Sequence, residues 1–122
     1  MIYYYSLTGN VRRFVQKMSL PCREITNPYE IVDHPYVLIT PTTGFGQVPS
    51  MVDDFVQYNV VELRGVVVSG NANWGRNYGA AGYKIADEYG VPLLLRFELS
   101  GTDEDIAKFK AEVERISQTT SN

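Results

Sequence analysis

The stretch IYYYSLTGNVRRFVQKM, residues 2–18, changes its period halfway along. Ile2 to Tyr5 is a short apolar and aromatic run of strand type. From Asn10 to Met18 the apolar residues Val11, Phe14, Val15 and Met18 return at helical spacing on one face. Between the two lies Ser6-Leu7-Thr8-Gly9, a polar turn carrying two hydroxyls and a glycine. Strand, polar turn, helix is the opening unit of an α/β domain, and the remainder of the chain repeats it.

Cys22 to Ile25 reads as a second, short strand and Tyr36 to Thr40 as a third. The intervening Thr26 to Pro35 has no room for a full helix and reads as a loop. Pro49 opens a helix that turns Met51, Val52, Phe55 and Val56 inward, proline being favourable in a first helical turn. Val66 to Ser69 forms a fourth strand. Tyr78 to Tyr89 is a small-residue helix stopped by Gly90 and Pro92, and Leu93 to Glu98 a fifth strand. A last helix runs from about Thr102 to Ser117. Thr102 is its N-cap, Asp103, Glu104 and Asp105 fill its first turn, and Ile106, Phe109, Val113 and Ile116 form its inner face. The alternation predicts a doubly wound α/β fold with a mostly parallel sheet. Residues 1–118 make a single domain and 119–122 a frayed tail.

Composition removes several function classes. The 122 residues suffice for one core, and 44% hydrophobic against 20% charged is ordinary globular usage. A net charge of −3, with no Lys/Arg run interleaved with aromatics, leaves no electrostatic footprint for nucleic acid. Val91 to Leu95 and Tyr36 to Ile39 are far shorter than the roughly 20 apolar residues a membrane span needs. The first residues carry neither a basic n-region nor an apolar h-region, so a cytoplasmic location is expected. One cysteine, Cys22, and one histidine, His34, exclude an intramolecular disulfide and make a transition-metal site hard to build. Any redox chemistry has to be borrowed from a cofactor. Cys22 reads as a small residue starting a strand, and His34, beside Pro35 in a polar turn, as solvent-facing. Tyr3, Tyr4 and Tyr5 read as strand residues rather than a radical relay.

In a doubly wound sheet, ligands bind beyond the carboxyl ends of the strands. The loops there are SLTGN, TPTTGFGQVP, GNANWGRNYGAAG and SGT; they concentrate Gly, Thr, Ser and Asn and hold no acid before the last helix. SLTGN has two readings. One is a phosphate cradle of hydroxyls and free N–H groups at a helix start, with Gly9 letting the backbone approach an anion. The other is a helix N-cap, which needs only one of Ser6, Thr8 and Asn10. Arg12 and Arg13 either add charge to that cradle or are solvated surface.

Two further patterns mislead. Gly44-Phe45-Gly46-Gln47-Val48-Pro49 lacks the third small residue of a dinucleotide fingerprint. Gly70 to Asn77 resembles a P-loop with Arg76 in place of lysine and Asn77 in place of the hydroxyl. Trp74, the sole tryptophan, offers a stacking wall for a planar ligand or folds back as a loop anchor.

Taken together, these loops resemble a known family. Ser6-x-Thr8-Gly9-Asn10-Val11 after a strand is similar to the FMN phosphate loop of flavodoxins. Thr42-Thr43-Gly44-Phe45-Gly46-x-Val48-Pro49, Ser69-Gly70-Asn71-x-Asn73-Trp74-Gly75 and Phe97-Glu98-Leu99-Ser100-Gly101-Thr102 resemble the NrdI family, flavodoxin-like activators of class Ib ribonucleotide reductase. The resemblance spans nearly the whole chain. It implies a flavodoxin-like three-layer sandwich with five parallel strands in the order 2-1-3-4-5, kept compact by a shortened connection between strands two and three. It also implies FMN. Ser6, Thr8, Gly9, Asn10 and Val11 would surround the phosphate. Thr43 and Gly44 from one loop and Asn71, Trp74 and Gly75 from the next would lie near the ring. Leu7, Thr42, Phe45, Gly46, Asn73, Tyr78, Glu98, Leu99, Ser100 and Gly101 complete the implied cofactor-binding set.

The implied partner is the dimanganese radical subunit of the reductase. For it, reduced FMN converts O₂ to superoxide or peroxide, so that a manganese-dependent tyrosyl radical forms in the partner. Electrons would come from a reductase or a glutaredoxin-like system. The chain itself would hold no metal and no catalytic side chain, acting as a redox activator rather than a stand-alone enzyme.

The residues support part of this directly. Carboxylates beside a flavin disfavour its reduced anion through like-charge repulsion; loops three and four contain no acid and one base, Arg76, while Glu98 is the one acid close by. The fully reduced flavin is therefore expected to be accessible. Gly44 and Gly46 permit a peptide flip when flavin N5 gains a proton. A general single-electron flavodoxin carrier is the competing reading; it would favour an acidic rim. A non-redox binding domain on the same fold is the third.

Overall fold

Along β1 (Ile2–Tyr4) neighbouring side chains enter different cores, Ile2 one and Tyr3 the other. Such two-faced burial is what a central parallel strand requires. The computed structural model describes residues 1–44 and 46–120, with the side chains of Arg76, Gln118, Thr119 and Thr120 outside that description. In it β1 lies between β2 (Cys22–Glu24) and β3 (Tyr36–Pro41), followed by β4 (Leu63–Gly70) and β5 (Leu93–Glu98). The sheet is five-stranded, all parallel, in the order β2-β1-β3-β4-β5. Strand order reverses between β1 and β3, which is where such a sheet opens a crevice.

Helices α1 (Asn10–Met18) and α4 (Asp103–Thr120) cover the face carrying Ile2, Val37, Ile39 and Val67. Phe14 of α1 stacks on Phe97 of β5 at 4.0 Å between ring centroids and meets Phe109 of α4 edge-on at 5.8 Å. The opposite face, with Tyr3, Leu38 and Val66, is covered by α2 (Ser50–Tyr58) and α3 (Ala80–Tyr89) through Val52, Phe55, Val56 and Ile85. This is the three-layer sandwich expected. Thr102 caps α4 as expected: its Oγ1 accepts from Asp105 N–H at 3.1 Å, and its own N–H donates to Asp105 Oδ2 at 2.9 Å, a reciprocal capping box.

Boundaries differ in places. β4 starts at Leu63 rather than Val66, and β3 extends to Pro41. Ala72–Asn77 forms a 3₁₀ segment kinked at Gly75, and α3 begins at Ala80, not Tyr78, because Gly79 takes a left-handed φ of 70°. α4 continues to Thr120, into the segment expected to fray, while Ser121 and Asn122 lie outside the described residues. Met51, expected inward, is only partly buried. His34 faces solvent in part, with 42% of its side chain exposed: its ring lies 6.2 Å from that of Tyr3, Nδ1 is 3.1 Å from Asp33, and Nε2 is shielded without a partner. The hydrogen bond to His34 lowers the Asp33 carboxyl from its ordinary range.

The helix-free connection between β2 and β3 is anchored at the end of α2. Asn59, buried just after α2, accepts the Val32 N–H at 2.7 Å and donates to the carbonyls of Glu30 at 2.8 Å and Phe55 at 3.0 Å. Tyr36 adds a 3.0 Å hydrogen bond from its hydroxyl to the Asn59 carbonyl. A single amide thus satisfies backbone groups that a crossover helix would otherwise pair internally. Among the described residues no helix is long and apolar enough to cross a membrane, and no group of three or more His, Cys, Asp or Glu could hold a metal.

Candidate functional site

Beyond the carboxyl ends of β1, β3, β4 and β5 the loops enclose a cleft of about 200 Å³. Leu7, Thr8, Asn10 and Val11 line it from loop one, Pro41 and Thr42 from the end of β3, Ser69, Gly70, Asn71 and Trp74 from the end of β4 and its loop, and Leu99 from loop five. It sits at the reversal of strand order.

Loop one leaves a helix start open. The position before α1 is Gly9 at φ 91°, and no side chain caps the helix from there. An α-helix cannot pair its first N–H groups internally. Here Arg12 N–H reaches back to Ser6 Oγ at 3.3 Å and Arg13 N–H to the Gly9 carbonyl at 2.9 Å. The Asn10 amide donates to Thr8 Oγ1 at 3.4 Å. Ser6 thus takes up one first-turn N–H from outside the cap position, which Gly9 leaves without a side chain, and the helix start is an anion-attracting surface beside the cleft.

Thr42 contributes a hydroxyl that is shielded from solvent and has no hydrogen-bond partner. Buried polar groups are costly to leave unpaired, by about 1–3 kcal/mol, and of the three such side-chain atoms among the described residues this is the one that lines the cleft. Beyond it, Thr43 and Gln47 pair backbone to backbone at 2.9 and 2.7 Å, and Thr43 Oγ1 also donates to the Gln47 carbonyl at 3.1 Å. Gly44 and Gly46 stand at φ 53° and 95°, and Gly46 packs so closely on α3 that a Cβ there would lie 2.8 Å from Ala80 Cβ. Phe45 lies outside the described residues.

In loop four Asn71 Oδ1 accepts the Asn73 N–H at 2.9 Å and the Asn71 carbonyl accepts the Trp74 N–H at 3.0 Å, a turn that carries Trp74 to the cleft with 42% of its surface exposed. Trp74 lines the cleft from this loop. Loop five is locked from below. Leu99 N–H donates to the Gly70 carbonyl at 2.9 Å, Gly101 N–H donates to the Glu98 carbonyl at 2.9 Å, and Gly101 sits where a Cβ would lie 2.6 Å from Phe14. Leu99 has a left-handed φ of 53° and is half exposed, a strained backbone of the kind found at ligand sites.

Among the described residues lining the cleft there is no Asp or Glu. Arg12 is neutralised by Glu24 at 2.7 Å, whereas Arg13 donates to Asn10 Oδ1 at 2.6 Å and Ser100 Oγ at 2.9 Å. The Arg76 side chain lies outside the description.

The twenty residues expected at the site divide as follows, with Phe45 outside the described residues. Leu7, Thr8, Asn10, Val11, Thr42, Asn71, Trp74 and Leu99 line one cleft, and Ser6, Gly9, Ser100 and Gly101 belong to the loops that build it. Thr43, Gly44 and Gly46 form the turn beyond Thr42, and Asn73 and Gly75 flank Trp74 in an exposed segment. Tyr78 and Glu98 are not among the residues lining the cleft but adjoin Gly70, which is: a Cβ there would lie 3.0 Å from the Tyr78 ring, and Glu98 is its register partner on β5. The Tyr78 ring lies under the Arg96 guanidinium at 4.2 Å, its phenol pushed up by burial, and Glu98 ends β5 exposed. Sequence reasoning missed Pro41, Ser69 and Gly70. Ser69 carried a signal, being the one hydroxyl in the run GVVVSG.

Known proteins share both the sequence and the architecture. The family model described as NrdI Flavodoxin like matches residues 2–111. Protein NrdI of Macrococcus caseolyticus (strain JCSC5402) is 45% identical over 118 residues, covering 97% of this chain and 92% of that protein. Among solved structures, the flavodoxin of Streptococcus pneumoniae TIGR4 superposes with a TM-score of 0.67 at 22% identity, over 98% of this chain and 97% of that one. The Fusobacterium nucleatum flavodoxin bound to flavin mononucleotide gives a TM-score of 0.63 at 13% identity, over 97% and 96%. At these identities the solved structures speak to the fold.

Proposed function

The chain belongs to the NrdI flavodoxin-like family, and on that premise we propose that it holds FMN in the cleft at the β1/β3 switch point and serves as the redox activator of a class Ib ribonucleotide reductase. When bound, FMN supplies the redox chemistry, including reduction of O₂ to superoxide or peroxide for the dimanganese radical subunit. The observation that carries the flavin assignment is the Thr42 hydroxyl, buried and unpartnered in a cleft that begins at an open helix start. A ligand that is polar and planar at one end and anionic at the other meets both needs.

In this reading Ser6, Thr8, Gly9 and Asn10 hold the phosphate against the start of α1, where N–H groups and the helix dipole favour negative charge. Thr42 and Asn71 orient the polar edge of the ring. Trp74 offers a face for stacking, and Leu7 and Leu99, each about half exposed, keep water from the ring. The turn at Gly44 and Gly46 supplies a peptide whose carbonyl or N–H can match a proton held at the ring edge, because glycine crosses φ at little cost. The carboxylate-free lining favours this activator over a general electron carrier, for which an acidic rim would steer basic partners.

Titration of the flavin-free protein with FMN tests the assignment. Stoichiometric uptake with quenching of Trp74 fluorescence is expected; failure to take up FMN would overturn it.

A further inference from the structure

Two adjacent arginines of α1 have opposite fates. Arg12 turns to β2 and is neutralised by Glu24. Arg13 turns the other way, to the loops that build the cleft, and packs on Gly9 so closely that a Cβ there would come within 2.9 Å of Nη1. Nη2 donates to Asn10 Oδ1 at 2.6 Å and Nε to Ser100 Oγ at 2.9 Å, and Ser100 Oγ itself donates to Asn10 Oδ1 at 3.0 Å. One turn along, Lys17 Nζ donates to the Gly101 carbonyl at 2.8 Å. Every partner of Arg13 in this closed triangle is neutral, and no carboxylate is paired with it among the described residues.

A fixed cation without a counter-ion, held by loop one on one side and loop five on the other, is unusual for a surface arginine. Side-chain entropy normally opposes such fixing, and surface charges gain little from it. The arrangement makes sense if the missing negative charge arrives with the ligand. We infer that Arg13 is the charge partner of the ligand's phosphate, so that it sets the preference for the phosphorylated flavin over the unphosphorylated one. This rests on the flavin reading above. Asn10 and Ser100 keep the guanidinium fork in place, and glycine at position 9 is what lets it lie flat on the loop. Its charge adds to that of the helix start, which alone would bind an anion more weakly.

The test compares FMN and riboflavin binding to the flavin-free wild type, Arg13→Gln and Arg13→Lys by fluorescence titration. Glutamine places an amide where Arg13 Nε meets Ser100 and removes the charge and the bond to Asn10, and thermal melts check that the fold is retained. Hydrogen bonds to charged groups are worth about 1.5–3 kcal/mol. The expected result is therefore a loss of about tenfold or more in FMN affinity for Arg13→Gln, with riboflavin affinity changed by less than about twofold. Arg13→Lys should fall between, and salt should erode the wild-type preference more than that of Arg13→Gln. Equal loss of both ligands would make Arg13 a merely structural clamp, and an unchanged FMN-to-riboflavin ratio would make it an ordinary surface residue; either overturns the inference. A wild type that binds neither flavin would instead overturn the flavin reading itself.

Discussion

Ser69 Oγ donates a 2.6 Å hydrogen bond to the carbonyl of Leu99, so a buried hydroxyl ending β4 fixes a residue whose backbone is left-handed at φ 53°. The strained turn of loop five is held by the strand beside it, and its shape governs one wall of the cleft. Ser69→Ala should cost about 1 kcal/mol in urea denaturation and weaken FMN binding as loop five relaxes. Unchanged FMN affinity would mean that loop five keeps its shape without this bond.

Asn59 carries more of the fold than its place after α2 suggests. Asn59→Ala removes three side-chain hydrogen bonds and leaves the Val32 N–H and the Glu30 carbonyl unpaired. A loss of about 3 kcal/mol is expected, read as a lower denaturation midpoint. Hydrogen exchange should rise first in residues 26–35; protection unchanged there would contradict the role assigned to this amide.

Gly90 and Gly101 separate backbone strain from steric fit. Both have positive φ, 66° and 74°, but a Cβ at Gly90 meets nothing within 4 Å, whereas at Gly101 it would lie 2.6 Å from Phe14. Gly90→Ala should cost about 1 kcal/mol. Gly101→Ala should cost about 3 kcal/mol or more and impair FMN uptake, because it pushes Phe14 and loop five apart. Similar costs in the two variants would refute the distinction.

Cys22 predicts an alkaline signature. Burial pushes its thiol up from about 9 to about 11. The folded chain thus holds its proton where the unfolded chain has released it. The associated stability is complete below pH 9 and is lost as pH rises through 11. Comparing wild type with Cys22→Ala by denaturation at pH 8 and pH 10.5 should show a larger alkaline loss in the wild type. Alkylation of the folded protein near pH 8.5 should run roughly tenfold to a hundredfold slower than in the unfolded chain.

Much of this was legible in the sequence because each buried strand is an apolar run and each helix keeps one apolar face, as with Val11, Phe14 and Met18. Sheet order was not encoded in that periodicity and followed from the family resemblance. Other features depend on contacts distant in sequence. Asn59 reads locally as a helix end, yet two of its three partners lie 27 and 29 residues away. Leu99 gives no hint of a positive φ, since leucine rarely adopts one. Arg12 and Arg13 are chemically identical neighbours, and only the tertiary fold sends one to Glu24 and the other to Ser100. Tyr78 and Glu98 adjoin site loops in sequence without lining the cleft: the Tyr78 ring sits under Arg96, and Glu98 is exposed at the end of β5.

The most direct measurement is electron paramagnetic resonance of a manganese-loaded class Ib radical subunit mixed with the reduced, FMN-loaded protein and oxygen. A tyrosyl radical coupled to manganese is expected, absent when the FMN-free protein or free peroxide is substituted. A radical yield that does not depend on the flavin-loaded protein would contradict it.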